Sequence, residues 1–455
     1  MVSCYTVQMA TSYSESNLNN MFEKLISQIK PFSSLFRKKR IEERSVLWLS
    51  GIMIVALLIA VQTFLTHEEA TTFTTNNGTW NIALNLMNGK GYSACDSNYF
   101  PFCSPSNQVT AMREPIPVLL MAVSWFFYPD EDSGLITQSL LYLGTILSIY
   151  WILKKEDVRL ALIASFLWTV SIPVISEMGD DTGNLTAAFF FTIGMYYFLK
   201  GWNEQKLSLF IFSGIFMGVT ALSRSVHFGI AIGLGIFLMG LHIIAKNRKL
   251  VLQALIFIGV VVLIITPWMV RNEIVFGSPV FGTTLTGYNL YRMNFYLGNE
   301  PFQPHYVGST ESLEAVQKLI EGSTLTGTEN EIQMNDFYME AGKAVILRYP
   351  LRYIGLSLYR FLILWFNIGF HKSYGMEILV RDYVAIIQSV ILLIAGLIGS
   401  AKKYKEYWPL TLSIVLGCGA YMAIGAAQMR YLVDFMPGLV ILSALSISNL
   451  LPKDQ

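Results

Sequence analysis

The chain has 455 residues, 53% of them hydrophobic and only 14% charged, where a soluble domain carries roughly 25% charged residues. A formal net charge of +1, without basic clusters interleaved with aromatics, leaves no electrostatic case for nucleic acid. The composition is that of an all-α polytopic membrane protein, and without a Walker sequence or a phosphate-cradling glycine loop an ATP-driven pump has nothing to run on.

Residues 1–45 read as a cytoplasmic N-terminal tail, too polar for a cleaved secretory signal, so the first apolar run is retained. Within it, NMFEKLISQI is weakly amphipathic and reads either as a surface helix or as part of a disordered end. Apolar runs near the length that crosses ~30 Å of hydrocarbon follow at 46–65, 135–153, 160–176, 184–200, 207–223, 228–245, 250–270, 383–400, 409–427 and 431–451. Two further runs are ambiguous: 116–128 is short and starts between prolines, and 351–370 carries Arg352 and Arg360.

Lys and Arg concentrate in cytoplasmic loops, and this settles the ambiguity. RKKR (37–40) puts the N-terminus inside. If 116–128 and 351–370 lie along the interface, KKEDVR (154–159), KGWNEQK (200–206), KNRK (246–249) and AKKYKEYW (401–408) all fall inside as well. Ten spans with both termini inside follow, and crossing by either ambiguous segment would make eleven or twelve. The expected organisation is a transmembrane catalytic core (46–270) with a long outer loop (66–134), an outer loop with surface helices and an interfacial segment (271–382), and C-terminal transmembrane helices (383–455).

The same topology sorts the polar residues. In the first outer loop Cys95 and Cys103 can pair if that loop faces an oxidising compartment, whereas a metal site would need more ligands. Arg224, Arg271 and Arg430 sit at outer ends of spans. One such arginine alone reads as snorkelling to lipid headgroups, but several on one face suit a membrane-bound phosphate, which guanidinium matches in a bidentate fork. Glu68, Glu69, Glu114, Glu177, Asp180 and Asp181 share that side. A carboxylate there can take a proton from an acceptor hydroxyl while an arginine holds a leaving phosphate. His227 reads as a hydrogen-bonding interfacial residue or as one ligand of a divalent cation. SLEAVQKLIEG and NEIQMNDFYMEAGKAVI have the apolar spacing of two surface helices. NGT (77–79) and NLT (184–186) match the glycan-acceptor pattern, with Asn184 too near the membrane to serve.

The order of the segments WNIALNLMNGKGYS, TAMREPIPVLLMA, GVTALSRSVH, TPWMVRNEIVFGSPVFGTTLTGYNLY and MRYLVDFMPGLVIL resembles the lipid-phosphate-dependent glycosyltransferases of the GT-C fold, in the protein O-mannosyltransferase-like and aminoarabinose-transferase-like branch. The resemblance covers roughly 46–450. It implies a GT-C-like bundle of about 10–12 transmembrane helices with juxtamembrane helices in the first and last long outer loops, at the cell membrane. It also implies a polyprenyl-phosphate sugar as donor, a protein, lipid or glycan acceptor on the outer face, and transfer with inversion. Arg271, with Arg224 and Arg430, would then neutralise the phosphate. Trp268 would anchor the helix end, Asn272 would shape the bend into the loop, and Glu114, His227 and Tyr431 would complete the pocket.

One position departs from the family. The aspartate expected about eight residues before Ala83 is replaced by Thr75, Asn76 or Asn77, none of which can be a carboxylate base. Glu68 or Glu69 takes the role, or Asp180 or Asp181 does, or transferase chemistry is lost. The rival readings are a transporter, flippase or non-catalytic lipid-binding protein, for which no internal repeat is visible, and a glycan ligase or polymerase using lipid-diphosphate donors.

Overall fold

The computed structural model describes residues 38–66, 78–103, 108–130, 132–179, 183–369, 371, 377–425 and 427–451. Among these residues the fold is helical, and the one β feature is an isolated bridge between Ser93 and Val109. A short α1 (Lys38–Glu43) leads into α2 (Ser45–Thr66), followed by α3 (Gly78–Met87), α4 (Pro115–Phe127), α5 (Ser133–Leu153), α6 (Val158–Thr169) and α7 (Ile172–Ser176). Then come α8 (Asn184–Glu204), α9 (Leu207–Ala221), α10 (Val226–Ala245) and α11 (Arg248–Phe276). The second outer region holds α12 (Thr286–Arg292), α13 (Ser309–Glu321), α14 (Glu331–Arg348) and α15 (Pro350–Phe366). The chain ends in α16 (Val380–Lys402), α17 (Tyr404–Ile424) and α18 (Met436–Ser446).

Every predicted apolar run is helical for most of its length, yet among the described residues only six helices are long and apolar enough to cross a membrane, or seven if a bent pair counts as one. Two differences from the ten-span reading have clear causes. The run 160–176 breaks into α6 and α7, bent by 50°, because Pro173 cannot continue the helix. The side chain of Gln388 on α16 repairs the break, accepting from Ile172 N–H at 3.0 Å and donating to the Val170 carbonyl at 2.9 Å. Such repair is what a helix break within an apolar bundle requires. The run 431–451 contains a 3-10 turn (Met429–Leu432) and then α18, whose 11 residues are all buried. Eleven residues rise about 16 Å, well short of the membrane. The apolarity of α18 reflects a core position, not contact with lipid. Gly399 lets α16 approach it closely, since a Cβ there would strike the Leu442 carbonyl.

The two ambiguous runs each pack one face into the protein and leave an apolar face exposed. α4 has 13 residues, exposing Leu119, Val123, Phe126 and Phe127 while burying Val118, Met121 and Ala122. α15 exposes Leu351, Ile354, Leu358 and Leu362, and turns Arg360 inward, where it donates to the carbonyls of Met293 and Met422.

The predicted surface helices appear as α13 and α14. Asn330 and Gln333 form a reciprocal capping box at the start of α14. Phe100, Tyr288, Val316, Met334 and Tyr338 form the core of this cap. Cys95 and Cys103 are disulfide-bonded, with their Cα atoms 5.5 Å apart.

Loops assigned to the two sides gather at opposite ends of the bundle. At one end Trp202 donates to the Lys405 carbonyl and Lys402 to the Ser446 carbonyl. At the other, Ser225 N–H donates to Glu114, Thr284 N–H to the Ala111 carbonyl, and Asn184 to the Arg430 carbonyl.

Candidate active site

At the end that gathers the predicted outer loops lies a cavity of about 310 Å³. It is within the range of small-ligand sites, about 300–1,000 Å³. Four arginines line it: Arg113 just before α4, Arg224 between α9 and α10, Arg292 at the end of α12 and Arg430 in the turn before α18. Glu114, Asn289, Tyr306, Ser309, Gln428 and Tyr431 complete its polar wall. A side chamber of about 140 Å³ shares Arg113, Glu114, Arg224 and Tyr431 and adds Tyr421. Among the described residues, Glu114 is the carboxylate on both walls. It is fixed there by accepting the Ser225 N–H at 2.9 Å.

Arg224 ends α9 in a setting dense with partners. Its Nη2 donates to the Tyr421 hydroxyl at 3.3 Å, its Nε lies 3.8 Å from Asp434 Oδ2, and its guanidinium stacks 5.1 Å from the Tyr431 ring. Arg430 covers the same ring at 5.3 Å, and Tyr421 stacks on Tyr431 at 4.7 Å. Behind them Asp434, fully buried, accepts from the Tyr421 hydroxyl at 2.6 Å. His227 packs between Phe191 and Phe435 with Nε2 3.5 Å from Asp434. It faces Asp434, not the cavity.

Arg271 occupies different surroundings. Its guanidinium lies 5.0–5.5 Å from the Trp268, Tyr92 and Phe276 rings, donates to Asn272 Oδ1 at 2.7 Å and to the Tyr92 carbonyl at 3.3 Å, and does not line the cavity. Trp268 is buried and donates from its indole to the Gly282 carbonyl at 3.1 Å, so it fastens the following segment from within the protein. Asn272, also buried, donates to the Val280 carbonyl at 2.8 Å and so holds the bend that leaves α11. Tyr92 joins the two settings: its ring faces Arg271 and its hydroxyl donates to the Arg113 carbonyl at 2.9 Å.

Of the expected site residues, the structure therefore brings together Arg224, Arg430, Tyr431 and Glu114, and sets Arg271, Trp268, Asn272 and His227 apart from the cavity wall. Glu68, Glu69, Asp180 and Asp181 lie outside the described residues, as do Thr75, Asn76 and Asn77. The residues that flank 180–182 approach the cavity. Asn184 donates to Glu177 Oε2 at 2.6 Å and to the Arg430 carbonyl, and a Cβ on Gly183 (φ +82°) would meet Pro117 and the Ser223 carbonyl. Among the described residues no three His, Cys, Asp or Glu side chains cluster as a metal site.

Sequence reasoning missed Asp434, Tyr421, Arg292 and Glu331 as members of this end of the molecule. Asp434 had a usable signal, an acid within an apolar stretch. Glu331 had none: it is exposed in pattern at a helix start, yet it is 6% accessible and accepts from Thr110, Thr284 and the Ala111 N–H. It thereby ties the first outer loop to the cap. Burial pushes its carboxyl above the ordinary value, against the opposing pull of those donors.

Residues 116–270, from α4 to α11, match the model of the dolichyl-phosphate-mannose-protein mannosyltransferase family. No curated protein matches the chain. Among solved structures, ArnT from Cupriavidus metallidurans bound to undecaprenyl phosphate is 13% identical, the match covering 88% of this chain and 78% of that one with a TM-score of 0.41. Its apo state is 14% identical over the same shares, with a TM-score of 0.40.

Proposed function

We propose that the chain is a GT-C-type membrane glycosyltransferase that moves a sugar from a polyprenyl-phosphate donor to a protein, lipid or glycan acceptor on the extracytoplasmic face. The observation that carries this reading is the cavity walled by Arg113, Arg224, Arg292 and Arg430 around Glu114, supported by the family match over 116–270. Four guanidinium groups lining one cavity at the end of an apolar bundle suit it to receive an anion at that depth. A lipid phosphate presents one at that depth. The Cys95–Cys103 disulfide favours an oxidising compartment for that end of the molecule.

In the reaction the acceptor oxygen attacks the anomeric carbon from the face opposite the phosphate. The carbon–oxygen bond to the lipid phosphate breaks with inversion, and the arginines take up the charge of the leaving group. The acceptor proton passes to a carboxylate, from Glu114, from Asp180 or Asp181, or from Glu68 or Glu69. Residues 46–270 would supply the catalytic core, with the cap (271–382) and the C-terminal helices (383–455) closing the cavity over it.

Purified protein given a panel of polyprenyl-phosphate sugars should release the free lipid phosphate from one of them. Of Glu114→Gln, Asp181→Asn and Glu69→Gln, assayed separately, one should lower turnover by at least about 100-fold, as loss of a general base does. Retention of full turnover by all three, and by Asp180→Asn and Glu68→Gln as well, would remove the carboxylate mechanism. A protein that binds polyprenyl phosphate no better than polyprenol would remove the donor assignment.

A further inference from the structure

Asp434 has no access to the cavity, yet three groups converge on one of its oxygens. Tyr421 donates its hydroxyl proton to Oδ2 at 2.6 Å, Arg224 Nε stands 3.8 Å from the same atom, and His227 Nε2 stands 3.5 Å from it. Asp434 and His227 are fully buried, and the surrounding rings of Phe191 and Phe435 exclude water. An isolated carboxylate at such a place is very costly, and one paired with a guanidinium and a hydroxyl is tolerable. The arrangement therefore has an asymmetric consequence. The single proton of Tyr421 is committed to Asp434, so its oxygen can only accept, and what it accepts is an N–H of Arg224. The guanidinium is then held on one edge by Tyr421 and Asp434 and on one face by Tyr431, while the residue lines the cavity.

We infer that Asp434 is a positioning residue that fixes Arg224 for anion binding, acting through Tyr421 and not by touching substrate. This inference rests on the proposed donor-phosphate site. The 3-10 turn Met429–Leu432 makes the placement possible, because it carries Arg430 and Tyr431 onto the cavity wall while turning Asp434 to their rear. Glu114, which shares the cavity lining, is another described carboxylate near Arg224, and it is anchored by the neighbouring Ser225 N–H. Asp434 reaches the guanidinium from behind the cavity wall, through the hydroxyl of Tyr421 and directly at Nε.

The test measures binding of polyprenyl phosphate and of uncharged polyprenol to the full chain in detergent micelles, with melting temperature recorded for each variant. Wild type should prefer the phosphate. Asp434→Asn, which keeps the volume but not the charge, should weaken phosphate binding about tenfold or more, the scale on which misplacement of a binding group is felt. Polyprenol binding should not change. Tyr421→Phe should show the same selective loss with a smaller size. In an Arg224→Ala background, Asp434→Asn should cost nothing further, because the two act through one group. Equal loss for phosphate and polyprenol, or an undiminished effect of Asp434→Asn without Arg224, would mean that Asp434 only supports the fold. Unchanged binding in both Asp434→Asn and Tyr421→Phe would also overturn the inference. No preference for phosphate in wild type would instead overturn the donor reading, and the inference with it.

Discussion

Arg224 and Arg271 stand at outer ends of apolar helices and look alike in sequence, but they occupy opposite environments. Arg224 is gripped by hydroxyl, carboxylate and one aromatic face, and lines a cavity with three further arginines. Arg271 is enclosed by three aromatic rings and two oxygen acceptors of its own surroundings, away from that cavity. The lesson is that a guanidinium near the membrane boundary can be stabilised in two ways. An aromatic cage satisfies the cation internally and makes it a fastener between α11 and the first outer loop. A wall shared with other guanidinium groups places it where several cations face one cavity, and so fits that wall to recognise an anion.

The comparison can be broken most decisively at Arg224. Arg224→Ala should abolish lipid-phosphate release, a loss of at least about 100-fold in turnover, and should remove the rise in melting temperature that polyprenyl phosphate produces by mass action. Survival of that donor-induced rise would place the phosphate elsewhere. Arg271→Ala should act through the fold instead. Loss of its aromatic contacts and hydrogen bonds should cost about 1–3 kcal/mol of stability, lowering the melting temperature while the donor-induced rise persists. A selective loss of donor binding in Arg271→Ala, with melting unchanged, would reverse the roles assigned to the two arginines.

The smallest effect sharpens the picture of the cap. Burial raises the Glu331 carboxyl above its ordinary value, so the folded protein holds this proton more tightly than the unfolded chain. Stability from this group is then fully present below the ordinary glutamate value and declines as pH rises from there to the raised folded value. Melting temperature followed across that window should show the decline. Glu331→Gln, which keeps an acceptor for Thr110, Thr284 and the Ala111 N–H, should flatten it. A slope identical in wild type and variant would assign the pH dependence to other groups.

Much of the fold was legible because apolar runs and loop charge obey local rules. KKEDVR, KGWNEQK, KNRK and AKKYKEYW share one end of the bundle. The capped helix α14 begins at Glu331, directly after Asn330. Pro115 and Pro117 mark the start of the short α4. The structure departs from uninterrupted helices where apolarity had two possible meanings. The run 431–451 is apolar because α18 is enclosed by protein, and the run 160–176 hides a break at Pro173 that Gln388, more than 200 positions away in sequence, makes tolerable.

The site was legible in its ingredients and not in its membership. Arg224, Arg430, Tyr431 and Glu114 announced themselves as polar groups beside apolar helices, and they meet. Arg271 announced itself equally and stands apart. Tyr421 was hidden in an apolar helix-forming stretch, and Asp434, though visible as an acid among apolar residues, carried no sign of which arginine it would meet.

By itself the sequence determined the approximate limits of the apolar helices and which loops share an end of the bundle, since hydrophobic length and the placement of Lys and Arg act locally along the chain. Only tertiary structure decided which arginine is caged and which lines the cavity, and that Asp434 reaches Arg224 across 210 positions. Those outcomes depend on close contacts between distant segments, and the energy of a buried charge is set by its neighbours in space, whatever their distance along the chain.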